Sequence, residues 1–327
     1  MFLAPRMLGC ALVTLGTLLT LPLPGVAQER GPIRILVGFP PGGGTDAIVR
    51  FVTERLAEPL GQAVIIENRL GVGGRAAAEA LLGATPNGQT YMGAPNAVPT
   101  FQSLLEADRF KWNFLRDFEA VAGIASYPLG MSVSLATGVT NAQEFVRWAR
   151  ANPAKANFGT PGAGGQNHFL GVQFAKLAGI ELPLVPYKGS PPLMTDLLGG
   201  HLPAAVTLMD QMLSQHRSGK TRIIGVFTEK RSDLMPDIPT FLEQGFNITL
   251  GEGWIGLWAP GKTPAGEMNR MRSALQRVLS NPQVREGMMS KLAAVPQFRD
   301  GAEMLRVQRA EISGWEPIIR ESGFKAE

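Results

Sequence analysis

The feature that most constrains the fold is a short apolar segment that runs into a corner of three consecutive glycines. Residues 33–39 read Ile-Arg-Ile-Leu-Val-Gly-Phe, and residues 40–46 read Pro-Pro-Gly-Gly-Gly-Thr-Asp. Apolar side chains then recur at helical spacing, at Ile48, Phe51, Val52 and Leu56. This pattern predicts a strand, a tight turn and an amphipathic helix. Glycines let the backbone approach a ligand, and first-turn N–H groups have no intrahelical partner, so the corner predicts an anion site with Thr45 or Asp46 as the N-cap.

Strands and helices alternate along most of the chain, which indicates an α/β fold. We predict strands near residues 63–67, 89–92, 156–160, 182–186, 204–208 and 222–227. We predict helices over residues 75–82, 142–150, 166–178, 191–198 and 210–215. Two further glycine corners, at 71–74 and 159–167, lie between these elements. Such βαβ alternation is typical of mainly parallel sheets flanked by helices.

Two apolar stretches are long enough to cross between two lobes. They span residues 120–136 and 253–259, and the chain after the second reads as helical, with Pro317 expected to kink the last helix. Two crossings make the first domain discontinuous. We therefore expect domain 1 at 28–126 plus 253–327 and domain 2 at 127–252, joined by a hinge with a ligand cleft between them.

The N-terminal segment reads as a secretory signal. Arg6 precedes an uncharged stretch that ends in the small residues Gly25-Val26-Ala27, directly before polar Gln28. We expect cleavage to remove residues 1–27 and to leave a soluble periplasmic protein. The alternative is an uncleaved membrane anchor, because the stretch is only just long enough to span a bilayer.

Composition excludes several classes of protein. Hydrophobic residues make up 45% of the chain and the net charge of +4 is scattered, so no basic stripe for nucleic acid is present. The one cysteine, Cys10, lies inside the signal. The mature protein is therefore expected to have no disulfide, no thiol nucleophile and no cysteine metal site.

The glycine corners admit three interpretations. Residues 42–47 match the dinucleotide-binding fingerprint, and Glu67 follows at about the sequence spacing of the residue that contacts the ribose. However, glycine-rich strings match this fingerprint by chance. The negative charge of Asp46 would also repel a pyrophosphate. The glycines can also be structural turns. We favour binding of a small anion by helix N-termini, because open α/β sheets bind ligands at the carboxyl ends of their strands.

Catalytic machinery is sparse. The histidines, His168, His201 and His216, lack metal-ligand spacing, and HExxH, GxSxG and P-loop patterns are absent. We interpret His168 as structural, Asp196 and Asp210 as surface or capping residues, and Trp254 and Trp258 as core residues of the second crossing, where Trp254 can also wall the cleft. Lys188 follows a strand and can meet a carboxylate, although a solvated loop lysine is the commoner case. We expect neither catalysis nor a cofactor.

A set of ordered motifs resembles one known family. The motifs occupy residues 33–46, 64–74, 85–90, 152–164 with His168, 185–189, 196–200, 218–222, 230–240 and 254–264. In this order they resemble the extracytoplasmic solute receptors of the tripartite tricarboxylate transporters, the Bug proteins. The resemblance implies a two-lobed periplasmic-binding-protein fold of the second type. It also implies a carboxylate held by amides, hydroxyls and water, and delivery to a permease of one large and one small subunit.

The resemblance also implies the ligand residues. Carried over onto this chain, they come from the first corner, the Asn96 region after the third strand, and the third corner. We add two neighbouring polar residues, Lys188 and Thr207, to this set. The complete set is Pro41, Gly42, Gly43, Gly44, Thr45, Asp46, Asn96, Thr160, Gly162, Gly164, Gly165, Gln166, Asn167, Lys188 and Thr207.

Two departures from the family bear on the ligand. Pro161 and residues 165–167 stand where many members carry hydroxyl side chains, and Pro203 stands where many carry an aspartate. An aspartate there would pair with a ligand ammonium, so its absence favours an organic acid over an amino acid. We expect a monomeric receptor for a small organic acid; the alternatives are an exported sensory receptor and an exported enzyme.

Overall fold

The computed structural model describes residues 1, 31–105 and 112–325. Apart from Met1, the predicted signal at 1–27 lies outside the described residues. Within these ranges, none of the helices combines the length and the apolar character that a membrane crossing requires.

Ten strands are described. They are β1 (Ile33–Val37), β2 (Val64–Asn68), β3 (Thr90–Pro95), β4 (Phe118–Ser134), β5 (Phe158–Thr160), β6 (Leu184–Pro186), β7 (Ala204–Leu208), β8 (Thr221–Val226), β9 (Glu252–Pro260) and β10 (Val295–Asp300).

Helices cover these strands. They are α1 (Gly44–Thr53), α2 (Ala57–Leu60), α3 (Arg75–Leu82), α4 (Ala97–Leu105), α5 (Phe114–Asp117), α6 (Ala142–Ala151), α7 (Gln166–Ala178), α8 (Ser190–Gly199), α9 (Met209–Arg217), α10 (Ala265–Leu279), α11 (Pro282–Leu292) and α12 (Gly301–Ser322).

The long strand β4 organises the sheet into two lobes. The strand order is β2-β1-β3-β9-β4-β7-β5-β6, with β8 and β10 also paired with β4. The first part of β4, up to Pro128, pairs with β9 and β10, and the part from Leu129 onward pairs with β7 and β8. We call the strands grouped around the first part of β4, namely β1, β2, β3, β9 and β10, lobe 1. The strands grouped around the second part, namely β5, β6, β7 and β8, form lobe 2. This arrangement agrees with the predicted two-lobed α/β fold.

Each lobe has a parallel core of three strands. β1 lies between β2 and β3 in lobe 1, and β5 lies between β6 and β7 in lobe 2. The pairings of β4 and β9 are antiparallel, so the complete sheet is mixed. Because parallel strands share one carboxyl edge, the loops after β1, β2 and β3 emerge together, as do those after β5, β6 and β7.

The two connections between the lobes differ from each other. The first is β4 itself, which covers most of the predicted stretch 120–136. The second connection begins before the predicted stretch 253–259. Gly251 is still bonded within lobe 2, because its N–H donates to Phe227 O at 3.0 Å and its carbonyl accepts from Leu129 N at 2.8 Å. The chain therefore leaves lobe 2 near residue 251 and enters β9, which pairs within lobe 1.

The C-terminal region contains a strand that the sequence reading missed. Residues 295–300 were expected to be helical, but β10 pairs antiparallel with β4, with Val295 opposite Ser126. After β10, α12 runs for 22 residues and is not interrupted at Pro317. α12 contacts both lobes. The side chain of its Met304 lies against Gly256 of β9 in lobe 1, where a Cβ would meet it. The ring of its Trp315 lies 6.4 Å from the ring of Phe169 of α7 in lobe 2.

Candidate ligand site between the lobes

The first glycine corner joins β1 to α1. The N-cap of α1 is Gly43, with φ −69° and no side-chain cap, so the prediction of Thr45 or Asp46 as the N-cap is wrong. Gly42 has φ +78°, a conformation that favours glycine, whereas the φ of Gly43 suits any residue. Pro41, Gly42 and Gly44 are exposed and Thr45 is partly exposed.

Asp46 is buried and holds this corner together. It is 1% exposed, and its carboxylate accepts hydrogen bonds from Gly42 N at 2.9 Å and Asn68 Nδ2 at 2.8 Å. Arg50 Nε and Nη2 add contacts at 3.1 and 2.9 Å. Burial alone would raise the pKa of Asp46, but the hydrogen bonds from Arg50, Asn68 and Gly42 outweigh it and hold the pKa below 3.8. The carboxylate is committed to the corner, with roles for Arg50 and Asn68 that sequence reasoning missed.

Replacing Asp46 should therefore destabilise the protein in a pH-dependent way. Asp46→Ala removes the acceptor of the Gly42 N–H and one of the two acceptors of the Asn68 amide, which keeps Phe39 O. We expect a loss of about 2 kcal/mol, moderated because Arg50 is 41% exposed. The pKa of Asp46 is depressed, so its contribution is present at neutral pH and declines as the pH falls below 3.8. Urea unfolding of both proteins across this range measures the difference.

Glu79→Ala is the matched control for that prediction. Glu79 is also the acid of an i,i+4 ion pair, with Arg75 Nε at 2.7 Å, but its side chain is 48% exposed. We expect it to change stability by less than about 0.5 kcal/mol. Equal losses for the two variants would contradict the structural role given to Asp46.

Asn96 and Gln166 meet at the boundary between the lobes. Asn96 precedes α4, Gln166 begins α7, and Asn96 Nδ2 lies 3.3 Å from Gln166 Oε1. Both are buried, and Gln166 Nε2 donates to Leu250 O at 2.6 Å. The structure thus brings together two predicted ligand residues from opposite lobes, but their side chains bind protein groups.

The third glycine corner lies between β5 and α7. The hydroxyl of Thr160 is buried and donates to Gly162 O, while Gly162 is exposed and Gly165 is the N-cap of α7, without a side-chain cap. Gly164 has φ +76°, and its N–H donates to His168 Nδ1 at 3.2 Å.

The residues around this corner divide into structural and accessible groups. His168 is buried, its ring stacks on Phe169, and burial lowers its pKa, which supports the structural interpretation. Lys188 is exposed, and the neighbouring Gly189 N donates to Pro161 O at 3.1 Å, so Lys188 lies beside the third corner. Asn167 is partly exposed.

Thr207 and Asp210 lie where β7 runs into α9. Thr207 is fully buried, and its Oγ1 has no hydrogen-bond partner among the residues that the structure describes. A Cβ placed on Gly44 of lobe 1 would lie 3.8 Å from Asp210 Oδ2 of lobe 2. The first corner therefore faces an acidic side chain across the lobe boundary, whereas the sequence reading gave Asp210 a surface or capping role.

Five helices that follow parallel strands share one property at their N-termini. No side chain caps α1, α3, α7, α8 or α9, whose N-caps are Gly43, Gly74, Gly165, Gly189 and Leu208, although Pro191 and Pro192 leave the first turn of α8 with few N–H donors. α2 and α10 also lack a side-chain cap, but Asn or Asp side chains cap α5, α6, α11 and α12. Uncapped first-turn amides are therefore concentrated at the carboxyl edges of the two parallel cores, where anions are favoured.

A cavity of about 800 Å³ lies between α9 of lobe 2 and α11 of lobe 1. Its lining includes Asp210, Arg217, Arg285 and Lys291, and Arg285 Nη2 lies 3.7 Å from Asp233 Oδ2. None of the predicted ligand residues lines this cavity, although Asp210 borders both it and the first corner. In the described part of the chain, no cluster of His, Cys, Asp and Glu has the makings of a metal site.

Comparison with known proteins places these features in a family context. Residues 48–324 match the family described as "Tripartite tricarboxylate transporter family receptor". The chain is 28% identical to Protein BugT of Bordetella pertussis, over 90% of this chain and 90% of that protein.

Solved structures resemble the whole described fold. A structure described as a periplasmic transporter has a TM-score of 0.80 and 28% identity, and the match covers 91% of this chain and 99% of that one. MatC of Rhodopseudomonas palustris with bound malate has a TM-score of 0.74 and 25% identity, covering 88% and 98%. R. palustris Rpa4515 with adipate has a TM-score of 0.79 and 26% identity, covering 90% and 98%.

Proposed function

Because this chain belongs to the tripartite tricarboxylate transporter receptor family, we propose that it captures a small carboxylate between its two lobes. The protein acts as a periplasmic monomer once residues 1–27 are removed. It delivers the ligand to a membrane permease of one large and one small subunit. The family is one of receptors, which supports the prediction that the chain is not an enzyme.

The observation that carries the proposal is the concentration of uncapped helix N-termini at the carboxyl edges of both parallel cores. A carboxylate placed there accepts hydrogen bonds from first-turn amides of α1 in lobe 1 and of α7 and α9 in lobe 2. The unpartnered hydroxyl of Thr207 lies in the same region, at the end of β7. Hydrogen bonds to a charged group contribute about 1.5–3 kcal/mol each, so a few such donors are enough for tight binding.

The roles of the predicted residues follow from their exposure. Backbone amides of the first and third corners supply most of the donors, and Thr45, Asn167 and Lys188 are the side chains accessible to a ligand. The side chains of Asp46, Asn96 and Gln166 hold the corners in place through the protein contacts already described. The division at 28–126 plus 253–327 and 127–252 places one corner in each moving lobe.

The two ligand-bound relatives indicate the chemical class to test. Malate and adipate are both dicarboxylates, and they are bound by proteins of the same overall fold as this one. A thermal-shift screen of mono-, di- and tricarboxylic acids on the purified protein tests the proposal. A ligand at one hundred times its dissociation constant stabilises the folded state by about 2.7 kcal/mol. Failure of every acid to raise the melting temperature would count against carboxylate capture.

Ligand binding should also make the protein more compact. A ligand that contacts both lobes favours the closed state over the open one. We therefore expect small-angle scattering to give a smaller radius of gyration at saturation than without ligand. An unchanged radius would show either that the lobes are already closed or that the ligand contacts only one of them.

A further inference from the structure

A single carboxylate gathers hydrogen bonds from several segments near the hinge. Glu311 lies on α12, and its Oε1 accepts a hydrogen bond from Trp254 Nε1 of β9 at 2.7 Å. Its Oε2 accepts a hydrogen bond from Thr100 Oγ1 of α4 at 3.1 Å. Asn96 Nδ2 approaches both oxygens, at 3.3 and 3.4 Å. This carboxylate therefore joins the C-terminal helix to β9 and to the start of α4.

The network continues into the opposite lobe through two amide side chains. Asn96 Nδ2 also lies 3.3 Å from Gln166 Oε1, and Gln166 Nε2 donates to Leu250 O at 2.6 Å. Each amide has one end that donates and one that accepts. An ionised Glu311 only accepts, so Asn96 must present its NH₂ group to it, and the same group faces the carbonyl end of Gln166. The charge on Glu311 thus favours this orientation of Asn96, whose Oδ1 also accepts from Trp254 N at 3.4 Å. Gln166 Oε1 then faces Asn96, while its Nε2 is held by Leu250 O and, at 3.3 Å, by Glu252 O.

We propose that Glu311 is a positioning residue for the ligand site: as a carboxylate it orients Asn96, and through Asn96 it orients Gln166 at the start of α7. The proposal rests on the proposed function, because Gln166 follows directly on the uncapped Gly165 corner. A ligand held by that corner requires the arrangement that the ionised form imposes.

The surroundings place the ionisation of Glu311 within the physiological range. Burial is the largest influence and raises its pKa, the hydrogen bonds from Trp254, Asn96 and Thr100 lower it, and the resulting pKa is about 7. Arg299 of β10 also lowers it, although Arg299 Nη2 is paired with Glu252 Oε1 of β9 at 2.9 Å.

Among the residues that the structure describes, Tyr127 of β4 is a further ionisable group that faces Glu311. Burial, with help from the charges of Glu311 and Asp210, raises the pKa of Tyr127 far above its usual range, so the phenol stays neutral. The network residues near α4 and α7 carry no charge. They are Asn96, which precedes α4, Thr100 of α4 and Gln166 of α7. Glu311 is therefore the group whose ionisation changes the network near neutral pH.

Nuclear magnetic resonance of the ligand-free protein tests the positioning directly. The indole N–H signal of Trp254 and the side-chain amide signals of Gln166 should shift together between about pH 5.5 and 8.5, a range of about 1.5 units on either side of the Glu311 midpoint. The indole signal of Trp148 on α6, whose ring stacks on Phe145 in lobe 2, is the internal control and should not follow. In Glu311→Gln none of these signals should titrate. A Trp254 shift without a Gln166 shift would overturn the proposal.

The pH dependence of ligand affinity is a second readout. A purely structural role for Glu311 would not produce this dependence. With adipate as the probe, the wild-type protein should bind about tenfold more weakly at pH 6 than at pH 8, because lowering the pH through the Glu311 pKa of about 7 protonates most of this carboxylate. Glu311→Gln should bind weakly and without this pH dependence, and Glu311→Asp should restore it in part. Equal pH profiles for wild type and Glu311→Gln would also overturn the proposal.

Two provisions keep the test decisive. Thr100→Val removes one donor from the carboxylate without changing a charge, and it should move the titration midpoint to higher pH even if Glu311→Gln does not fold. If adipate fails to bind the wild-type protein at pH 8, the choice of adipate as the ligand fails. The coupled shifts of Trp254 and Gln166 in the ligand-free protein then still decide the role of Glu311.

Discussion

Valine at Gly43 or Gly165 is expected to weaken carboxylate binding by more than a hundredfold while the protein stays folded. Both glycines are N-caps with ordinary φ values, −69° and −98°, so valine does not force either backbone into a strained conformation. A Cβ at Gly165 meets nothing within 4 Å, and one at Gly43 meets only Pro40 O at 3.2 Å. The added methyl groups would instead fill the space in front of the first-turn amides that we assign to the ligand.

The reason for the expected loss at Gly43 is therefore ligand exclusion. A side chain at Gly43 does not forbid the turn, because the left-handed glycine of this corner is Gly42. Gly266→Val is the matched control, because Gly266 is exposed on α10 and a Cβ there also meets nothing within 4 Å. Calorimetry on the folded variants makes the comparison. Near wild-type affinity in Gly43→Val would remove the first corner from the site.

The second large effect concerns ligand charge. Adipate should bind at least a hundredfold, about 2.7 kcal/mol, more tightly than its monoamide, because the amide loses hydrogen bonds that are strong only to a charged acceptor. The amide would also present its NH₂ group to N–H donors. Calorimetric titration of both compounds into the same protein at pH 8 measures the ratio.

The α-amino analogue, 2-aminoadipate, tests whether an acidic partner for an ammonium group faces the ligand. Pro203 in place of an aspartate predicts that the acid without an amino group binds better. Asp210, however, lies close to Gly44 across the lobe boundary. An advantage of more than about tenfold, 1.4 kcal/mol, for 2-aminoadipate would contradict the prediction. Its loss in Asp210→Asn would then identify the acid responsible.

Local sequence patterns predicted most of the fold because its βα units are local. Helices α3 and α7 and strand β7 match their predicted bounds, since apolar periodicity and glycine corners mark both ends of such elements. β10 was missed because the segment at 295–300 contains Pro296 and gives no clear strand pattern. Its pairing with β4, which lies more than 150 residues earlier in the chain, determines the structure there.

The sequence indicated where the site lies but not how its polar side chains are used. Asp46 was expected to cap α1, but the capping position falls at Gly43, which leaves Asp46 inside the first turn and able to bind Gly42, Asn68 and Arg50. Glu311 gave no local signal, because its partner Asn96 is 215 residues away. Such contacts depend on tertiary packing, which periodicity and spacing do not encode.

The most direct test of carboxylate capture between the lobes is calorimetric titration of adipate and malate into the wild-type protein and its variants Gly43→Val and Gly165→Val. We predict saturable binding of one dicarboxylate per wild-type chain, and loss of that binding when the glycine of either lobe is replaced. Binding that survives both substitutions would contradict a site between the lobes. Binding of neither acid, together with failure of the wider panel of acids, would contradict carboxylate capture itself.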